Sequence, residues 1–299
     1  VAQGGSFASG GDEAVQVEES RRAGVAGVGG GGGADGIAGA AVETGFMLGG
    51  FPGGGASRGG SGGRAMRGAP ENARCHPTVG AEAFFEIAWD RGCRALDTGA
   101  DALERWFDIG GFRVRMTLGG RLAARFFDAF EQLKISPQDS WDLDIRAWDS
   151  ATSGMPMSAP PWRAEDYGRR GEIRGFNDAR FMTAFDHGSG ALSLVDRALG
   201  RAVYWIRDGG RVPEHERGAP FRTILNGWMG NHGSTLAHGA AVGIADGAVL
   251  LAGPGGSGKS TTALACAEGG MLFLGDDYCL LRTHPSLEVC SLYGTAKMT

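Results

Sequence analysis

A glycine-rich loop followed by a lysine and a hydroxyl residue is the first part of the chain that could do chemistry. Residues 253–260 read Gly-Pro-Gly-Gly-Ser-Gly-Lys-Ser and satisfy every fixed position of the phosphate-binding pattern G-x-x-x-x-G-K-[ST]. Glycines let the backbone approach phosphates and turn its N–H groups toward them, and the helix that follows points its positive end at the same anions. We therefore predict a nucleotide site, with these phosphate-binding residues: Gly253, Gly255, Gly256, Ser257, Gly258, Lys259, Ser260 and Thr261.

Two adjacent aspartates follow this P-loop after the length of one helix. Asp276 and Asp277 come directly after the short apolar segment Met271–Leu274 and Gly275. Strand ends are where an α/β sheet presents groups to a ligand. One carboxylate could hold Mg²⁺, and the other could accept the proton of an attacking hydroxyl. An isolated Asp-Asp pair is more often a solvated turn, but its closeness to the P-loop favours a functional site.

The elements around these residues are readable from local patterns. Two apolar runs flank Ala245-Asp246-Gly247, and Asp-Gly is a strong hairpin signal. The P-loop is therefore expected to follow the second arm of a β-hairpin, where the usual doubly wound nucleotide fold has a lone parallel strand. A helix is predicted from Ser260 to about Glu268, and it ends at two glycines, which readily form a left-handed cap.

Upstream, the chain alternates between helical and strand periodicity. Apolar spacing predicts a helix over residues 80–96 and an amphipathic helix over Arg121–Leu133. Alternation predicts a strand at Phe112–Met116 and another at residues 142–149. Short alternating segments between residues 171 and 206, separated by turn residues, predict an antiparallel meander. A further helix is expected near Pro220.

Composition divides the chain into three parts. Residues 1–78 are rich in glycine and poor in apolar side chains, so we predict that they are mostly disordered. Residues 79–210 are expected to form an α+β accessory region rich in antiparallel strands. Residues 211–299 are expected to hold the nucleotide-binding core, which gives an α/β (mixed α+β) fold class.

Charge, hydropathy and cysteine content bear on partners and location. The net charge is −5 without a long basic block, so no nucleic-acid partner is indicated. The apolar runs are far shorter than the roughly 20 residues that span a bilayer, and no secretory signal is recognisable. Five cysteines without a C-x-x-C pair favour reduced thiols in the cytoplasm. A homo-oligomer is compatible with all of this.

Residues 235–281 resemble the catalytic core of the HPr kinase/phosphorylase family. These bacterial enzymes phosphorylate a serine of a carrier protein of sugar uptake. The family shows a histidine-glycine in a strand, a hairpin, a P-loop, an alanine/leucine helix, a glycine and then Asp-Asp, and these six features occur here in order. The resemblance implies a P-loop kinase core of the HPr kinase/PEP carboxykinase-like type.

The resemblance also implies roles for individual residues. Lys259 and the loop amides would bind the phosphates of ATP, and Ser260 and Asp277 would help to hold Mg²⁺. Asp276 would be the general base toward a serine hydroxyl of a protein or peptide substrate. His238 would tune Asp276 by hydrogen bonding; without the resemblance, a lone histidine reads as a structural or surface residue.

The chain departs from the family in two respects. Thr261 follows Lys259-Ser260 where the family commonly has a glutamate, so phosphorolysis is left open. Only 40 residues follow Lys259, and the family's later glutamate, later arginine and C-terminal substrate-reading helix have no counterpart among them. The sequence therefore has the appearance of a fragment, and the fragment could be inactive.

Two other functions fit parts of the pattern. Another P-loop enzyme, such as a GTPase or a small-molecule kinase, would share the loop. A GTPase would also need a guanine-reading Asn/Thr-Lys-x-Asp and an Asp-x-x-Gly switch, and neither stands in a plausible place. A nucleotide-sensing module without turnover would need Lys259 and Ser260 but would not require Asp276.

Overall fold

The computed structural model describes residues 22–24, 79–99 and 101–294, which form a mixed α/β structure with three sheets. Its helices are α1 Ala81–Thr98, α2 Ala123–Phe126, α3 Ser150–Ser153, α4 Glu214–Gly218, α5 Arg222–Met229 and α6 Lys259–Glu268. Its strands are β1 Arg22–Gly24, β2 Leu103–Ile109, β3 Phe112–Leu118, β4 Lys134–Ile135, β5 Leu143–Asp149, β6 Phe181–Asp186, β7 Ala191–Asp196, β8 Arg201–Ile206, β9 Ser234–His238, β10 Ala240–Ile244, β11 Gly247–Leu251, β12 Leu272–Gly275, β13 Tyr278–Arg282 and β14 Glu288–Cys290. None of the described helices has the length and apolar character needed to cross a bilayer.

The largest sheet has seven strands in the order β4-β2-β3-β5-β8-β7-β6. Strands β6, β7 and β8 form the antiparallel meander that the sequence predicts. Strands β3, β5 and β8, however, pair in parallel. The expectation of an antiparallel accessory region is therefore wrong for the centre of this sheet. Parallel neighbours require long crossovers, and residues 119–142 and 150–200 supply them.

The segment predicted as one amphipathic helix is a succession of short helical pieces. A 3₁₀ turn at Gly120–Leu122 leads into α2, and a second 3₁₀ helix runs over Phe127–Leu133. A 3₁₀ helix has three residues per turn, so side chains three apart lie in one line. Phe127, Phe130 and Leu133 have that spacing, and all three are buried. The pattern of apolar residues was read correctly, but the helix type was not.

Helix α1 covers one face of the large sheet, as its spacing predicts. Its residues Phe84, Phe85 and Ala88 are buried. Gly92 allows the closest approach, since a β-carbon there would lie 2.9 Å from the ring of Trp148 on β5. Without a side chain at this position, the helix and the sheet pack in direct contact.

Two smaller sheets complete the structure, one ordered β1-β14-β13-β9 and one ordered β11-β10-β12. The P-loop follows β11 of the second. Strands β10 and β11 form the predicted hairpin, closed at residues 245–246. Strand β1 lies within the glycine-rich part, and the prediction of disorder for the rest of residues 1–78 falls outside the described residues. All described residues belong to one compact unit, and the division at residues 210/211 stays a prediction.

Candidate functional site

The loop between β11 and α6 takes a conformation that its glycines permit. Gly256 and Gly258 have φ angles of +77° and +83°, in the left-handed region that other residues avoid. Gly258 precedes the first helical residue, and its carbonyl accepts the first helical hydrogen bond, from the amide of Thr262 at 2.9 Å. Residues 252–257 are exposed. The backbone of the loop is therefore open to a ligand at the N-terminal end of α6.

Lys259 bends back over this loop. Its ammonium Nζ donates to the carbonyl oxygens of Gly253 at 2.9 Å and Pro254 at 3.0 Å. Ser257 adds a turn inside the loop through its amide, which donates to the carbonyl of Pro254 at 3.2 Å. A cation is thus held at the mouth of the loop by neutral carbonyls, which a phosphate anion could replace as its partner.

Ser260 and Asp276 are brought together. The Ser260 hydroxyl donates to Oδ1 of Asp276 at 2.9 Å, and Asp276 is only 2% exposed. Ser260 stands in the first turn of α6, and Asp276 directly follows β12. A hydroxyl and a carboxylate in contact are the hard oxygen ligands that Mg²⁺ prefers. Thr261, the next residue, is exposed on α6.

His238 and Asp277 form a second pair, on the solvent side. Nε2 of His238 lies 3.0 Å from Oδ1 of Asp277, and their side chains are 53% and 45% exposed. Asp277 has a φ of +67°, which is uncommon for a residue other than glycine. Its carbonyl accepts the amide of Gly239 at 3.1 Å, which ties the turn to the end of β9. This backbone turn points the two aspartates to different partners.

The hydrogen bonds therefore follow a different division from the one the resemblance implies. The resemblance pairs Asp276 with His238, and it pairs Asp277 with Ser260 and the metal. In the structure, Ser260 bonds to the buried Asp276, and His238 bonds to the accessible Asp277. The structure thus brings together every residue predicted from the sequence to be catalytic or metal-binding, in two side-by-side pairs.

Two neighbours of this site were missed in the sequence. The Tyr278 ring lies 5.3 Å from the ring of His238, and its hydroxyl accepts a hydrogen bond from Nη1 of Arg222 at 2.9 Å. The position of Tyr278 directly after the aspartates was the available signal. Arg222 gave no such signal, since it lies 56 residues before Tyr278 in the sequence.

Cys279 lies beside the aspartates but is unsuited to nucleophilic chemistry. Burial, aided by the negative charge of Asp276, raises the pKa of its thiol to about 12. The thiol therefore stays protonated at neutral pH, and the thiolate is the reactive form. The four described cysteines are all free thiols.

Comparison with known proteins leaves the function to be argued from this geometry. No protein-family model matches the chain, and no curated protein matches it either.

Proposed function

We propose that the chain is an ATP-dependent kinase with a P-loop core of the HPr-kinase-like type, which transfers the γ-phosphoryl group of ATP to a serine hydroxyl of a protein or peptide. The observation that carries the proposal is the pair of aspartates at the P-loop. One aspartate bonds to the P-loop serine, and the other bonds to an accessible histidine. A phosphate-binding loop alone would serve any nucleotide-binding protein, whereas the contact between His238 and Asp277 supports acid–base chemistry beside it.

The residues present fit MgATP. The exposed loop, with its left-handed glycines, leaves room for phosphates beside the N-terminus of α6. Lys259 would exchange its loop carbonyls for phosphate oxygens. Ser260 and the buried Asp276 would hold Mg²⁺, which when bound neutralises charge on the phosphates.

The proton transfer belongs to the accessible pair. Asp277 would accept the proton of the serine hydroxyl. The serine oxygen would then bond to the γ-phosphorus, and the bond between that phosphorus and ADP would break. The contact with His238 at 3.0 Å orients the carboxylate. We thus assign the general base to Asp277 and the metal ligand to Asp276, the reverse of what the family resemblance implies.

Location and partners complete the proposal. The free cysteines support a reducing compartment, and we keep the cytoplasm as the expected location. The acceptor is expected to be a protein or peptide, without nucleic acid or membrane.

The test compares three aspartate variants in one assay. Phosphoryl transfer from γ-labelled ATP into serine-containing peptides and proteins is measured beside ATP affinity by calorimetry. Asp277→Asn should lower transfer by about 10²–10⁴-fold and leave ATP affinity nearly unchanged, because an amide keeps the shape but cannot take a proton. Asp276→Asn should instead raise the Mg²⁺ concentration needed for half-maximal rate. Asp246→Asn, in the exposed hairpin turn, is the matched control and should behave as wild type.

The outcomes separate the alternatives. Transfer by Asp277→Asn at the wild-type rate rules out the general-base assignment. Tight ATP binding without labelling of any acceptor favours a nucleotide-sensing module, and preference for GTP or for a small hydroxyl compound favours another P-loop enzyme.

A further inference from the structure

The accessible pair of His238 and Asp277 is held only weakly by its own contact. Both side chains are about half exposed, and a contact between exposed charged side chains contributes only about 0–1 kcal/mol. Proton transfer to a carboxylate nevertheless requires a fixed alignment of the reacting groups. A neighbouring side chain must therefore restrict the imidazole if the pair is to act as a base.

Tyr278 is placed to restrict it. Tyr278 and His238 are directly opposite each other in the antiparallel pairing of β13 and β9. Their ring centroids are 5.3 Å apart, with an angle of 35° between the ring planes. Aromatic side chains that face each other across antiparallel strands interact by about 0.2–1 kcal/mol. The position of the Tyr278 ring therefore limits the positions that the imidazole can take.

Arg222 fixes the far end of the Tyr278 side chain. Its Nη1 donates to the phenolic oxygen at 2.9 Å, and its guanidinium carbon lies 5.1 Å from the centroid of the ring. Arg222 is half-buried and is the first residue of α5, a helix whose Ile224 and Leu225 are fully buried in the core of the large sheet. The donor thus comes from a well-packed element.

The guanidinium of Arg222 is itself held by charge. The negative charge of Glu216 attracts it, and the two side chains line the same small cavity. Glu216 is buried and accepts a hydrogen bond from the Tyr204 hydroxyl of β8 at 3.3 Å. A series of polar interactions therefore connects the seven-stranded sheet, through Arg222, to the Tyr278 ring.

We propose that Arg222 is a positioning residue: it holds Tyr278, and the Tyr278 ring holds the imidazole of His238 against Asp277. The inference rests on the proposed function, in which Asp277 is the general base. Arg222 acts on the reaction through Tyr278 and the histidine, so its loss should slow the chemical step and leave nucleotide binding intact.

The first arm of the test observes His238 directly, without ATP. NMR at a fixed pH records the imidazole C–H resonances of His238, assigned as those that disappear in His238→Ala. Arg222→Met removes the donor but keeps a long side chain, and it should shift these resonances because the Tyr278 ring moves relative to the imidazole. Tyr278→Phe removes only the accepting oxygen and should shift them too. Arg211→Met is the matched control, since Arg211 is an exposed arginine paired with Asp208, and it should match wild type.

The second arm measures phosphoryl transfer and MgATP affinity together. Arg222→Met should lower kcat by about 10–100-fold with unchanged ATP affinity, because a misplacement of about 1 Å can cost about 10²-fold in rate. Arg222→Lys keeps a charged donor and should recover part of the rate. Combined with Asp277→Asn, Arg222→Met should cause little further loss, since residues that act as a unit are not additive.

Each arm can contradict the proposal. Unchanged His238 resonances in both Arg222→Met and Tyr278→Phe overturn the positioning role, and so does a full additional loss of rate on the Asp277→Asn background. Circular dichroism checks folding, and Tyr278→Phe, which lacks a single oxygen, decides the first arm if Arg222→Met does not fold. Failure of wild type to label any acceptor overturns the kinase proposal, and the NMR arm distinguishes that failure from a failure of Arg222 to position His238.

Discussion

The seven-stranded sheet and the P-loop region bury different kinds of side chain. The core under the large sheet contains eight buried aromatic residues: Phe107, Phe126, Phe127, Phe130, Tyr204, Phe221, Trp228 and Tyr293. The two small clusters around the P-loop sheet have buried members no larger than leucine: Ala240, Ala241, Val242, Ala248, Ala263, Leu274, Cys279 and Val289. Since buried apolar area drives folding, the sheet should carry most of the stability.

This difference suggests how the site works. Residues 252–257 are exposed, and exposed loops open locally at low free energy. A nucleotide that binds the loop would supply the missing contacts. The rigid sheet would then serve as a support, and the P-loop region as the part whose order depends on ligand.

The largest effect is expected from the aromatic core. Phe130 packs against Phe107 at 5.5 Å and Tyr293 at 5.3 Å between ring centroids. Phe130→Ala should lower the free energy of unfolding by about 3–5 kcal/mol, since it removes a fully buried ring. Denaturant unfolding measures the change.

The matched variant in the P-loop region is Leu274→Ala. Leu274 is also buried, but its cluster is small and can collapse more easily, so we expect a loss of about 2 kcal/mol, at the low end for such a change. A loss at Leu274 that equals or exceeds the loss at Phe130 would contradict the comparison.

Nucleotide protection should be smaller than the effect of Phe130→Ala, of similar size to that of Leu274→Ala, and local. At 100 times its Kd, MgATP should stabilise the chain by about 2.7 kcal/mol, and hydrogen exchange should slow in β11 and α6 more than in β5 or β8. Lys259→Ala should abolish most of this protection. It should change the unfolding free energy little without ATP, because in the described part of the chain the ammonium of Lys259 hydrogen-bonds only to carbonyls of its own loop.

Lys134→Ala is the control for that experiment. Lys134 is an exposed lysine paired with Glu131, far in sequence from the loop, and its loss should leave MgATP protection intact. Equal ATP affinity in wild type and Lys259→Ala would remove the support for a phosphate site.

Local signals predicted the parts of the molecule that are local. The β10–β11 hairpin, the helix α6 after the glycine-rich loop, and α1 depend on neighbouring residues, and all three lie where the sequence predicts them. The parallel pairing of β3, β5 and β8 joins strands separated by long crossovers, and nothing within one strand encodes its neighbour. The prediction of one α-helix over Arg121–Leu133 failed for another reason. Apolar residues spaced three apart fit both an α-helix and a 3₁₀ helix.

The site shows the same limit at the scale of single side chains. The sequence predicted that Asp276 and Asp277 lie close to the P-loop. It did not predict which side chain each of them hydrogen-bonds to. That separation depends on the left-handed φ of Asp277, which turns consecutive carboxylates toward different groups. Two adjacent residues of the same type give no sign of such a turn.

The smallest effect is expected at the N-terminal end of the chain. Deletion of residues 1–78 removes β1, whose three residues pair with β14 at the edge of the four-stranded sheet. Backbone hydrogen bonds contribute only about 1 kcal/mol each in net terms, and water can replace them at an exposed edge. We expect the Tm to fall by less than about 4 °C. Deletion of residues 1–21, which keeps β1, should change it even less. If the longer deletion lowers the Tm by more than about 10 °C, the glycine-rich part contributes to the fold and the sheet does not carry the stability alone.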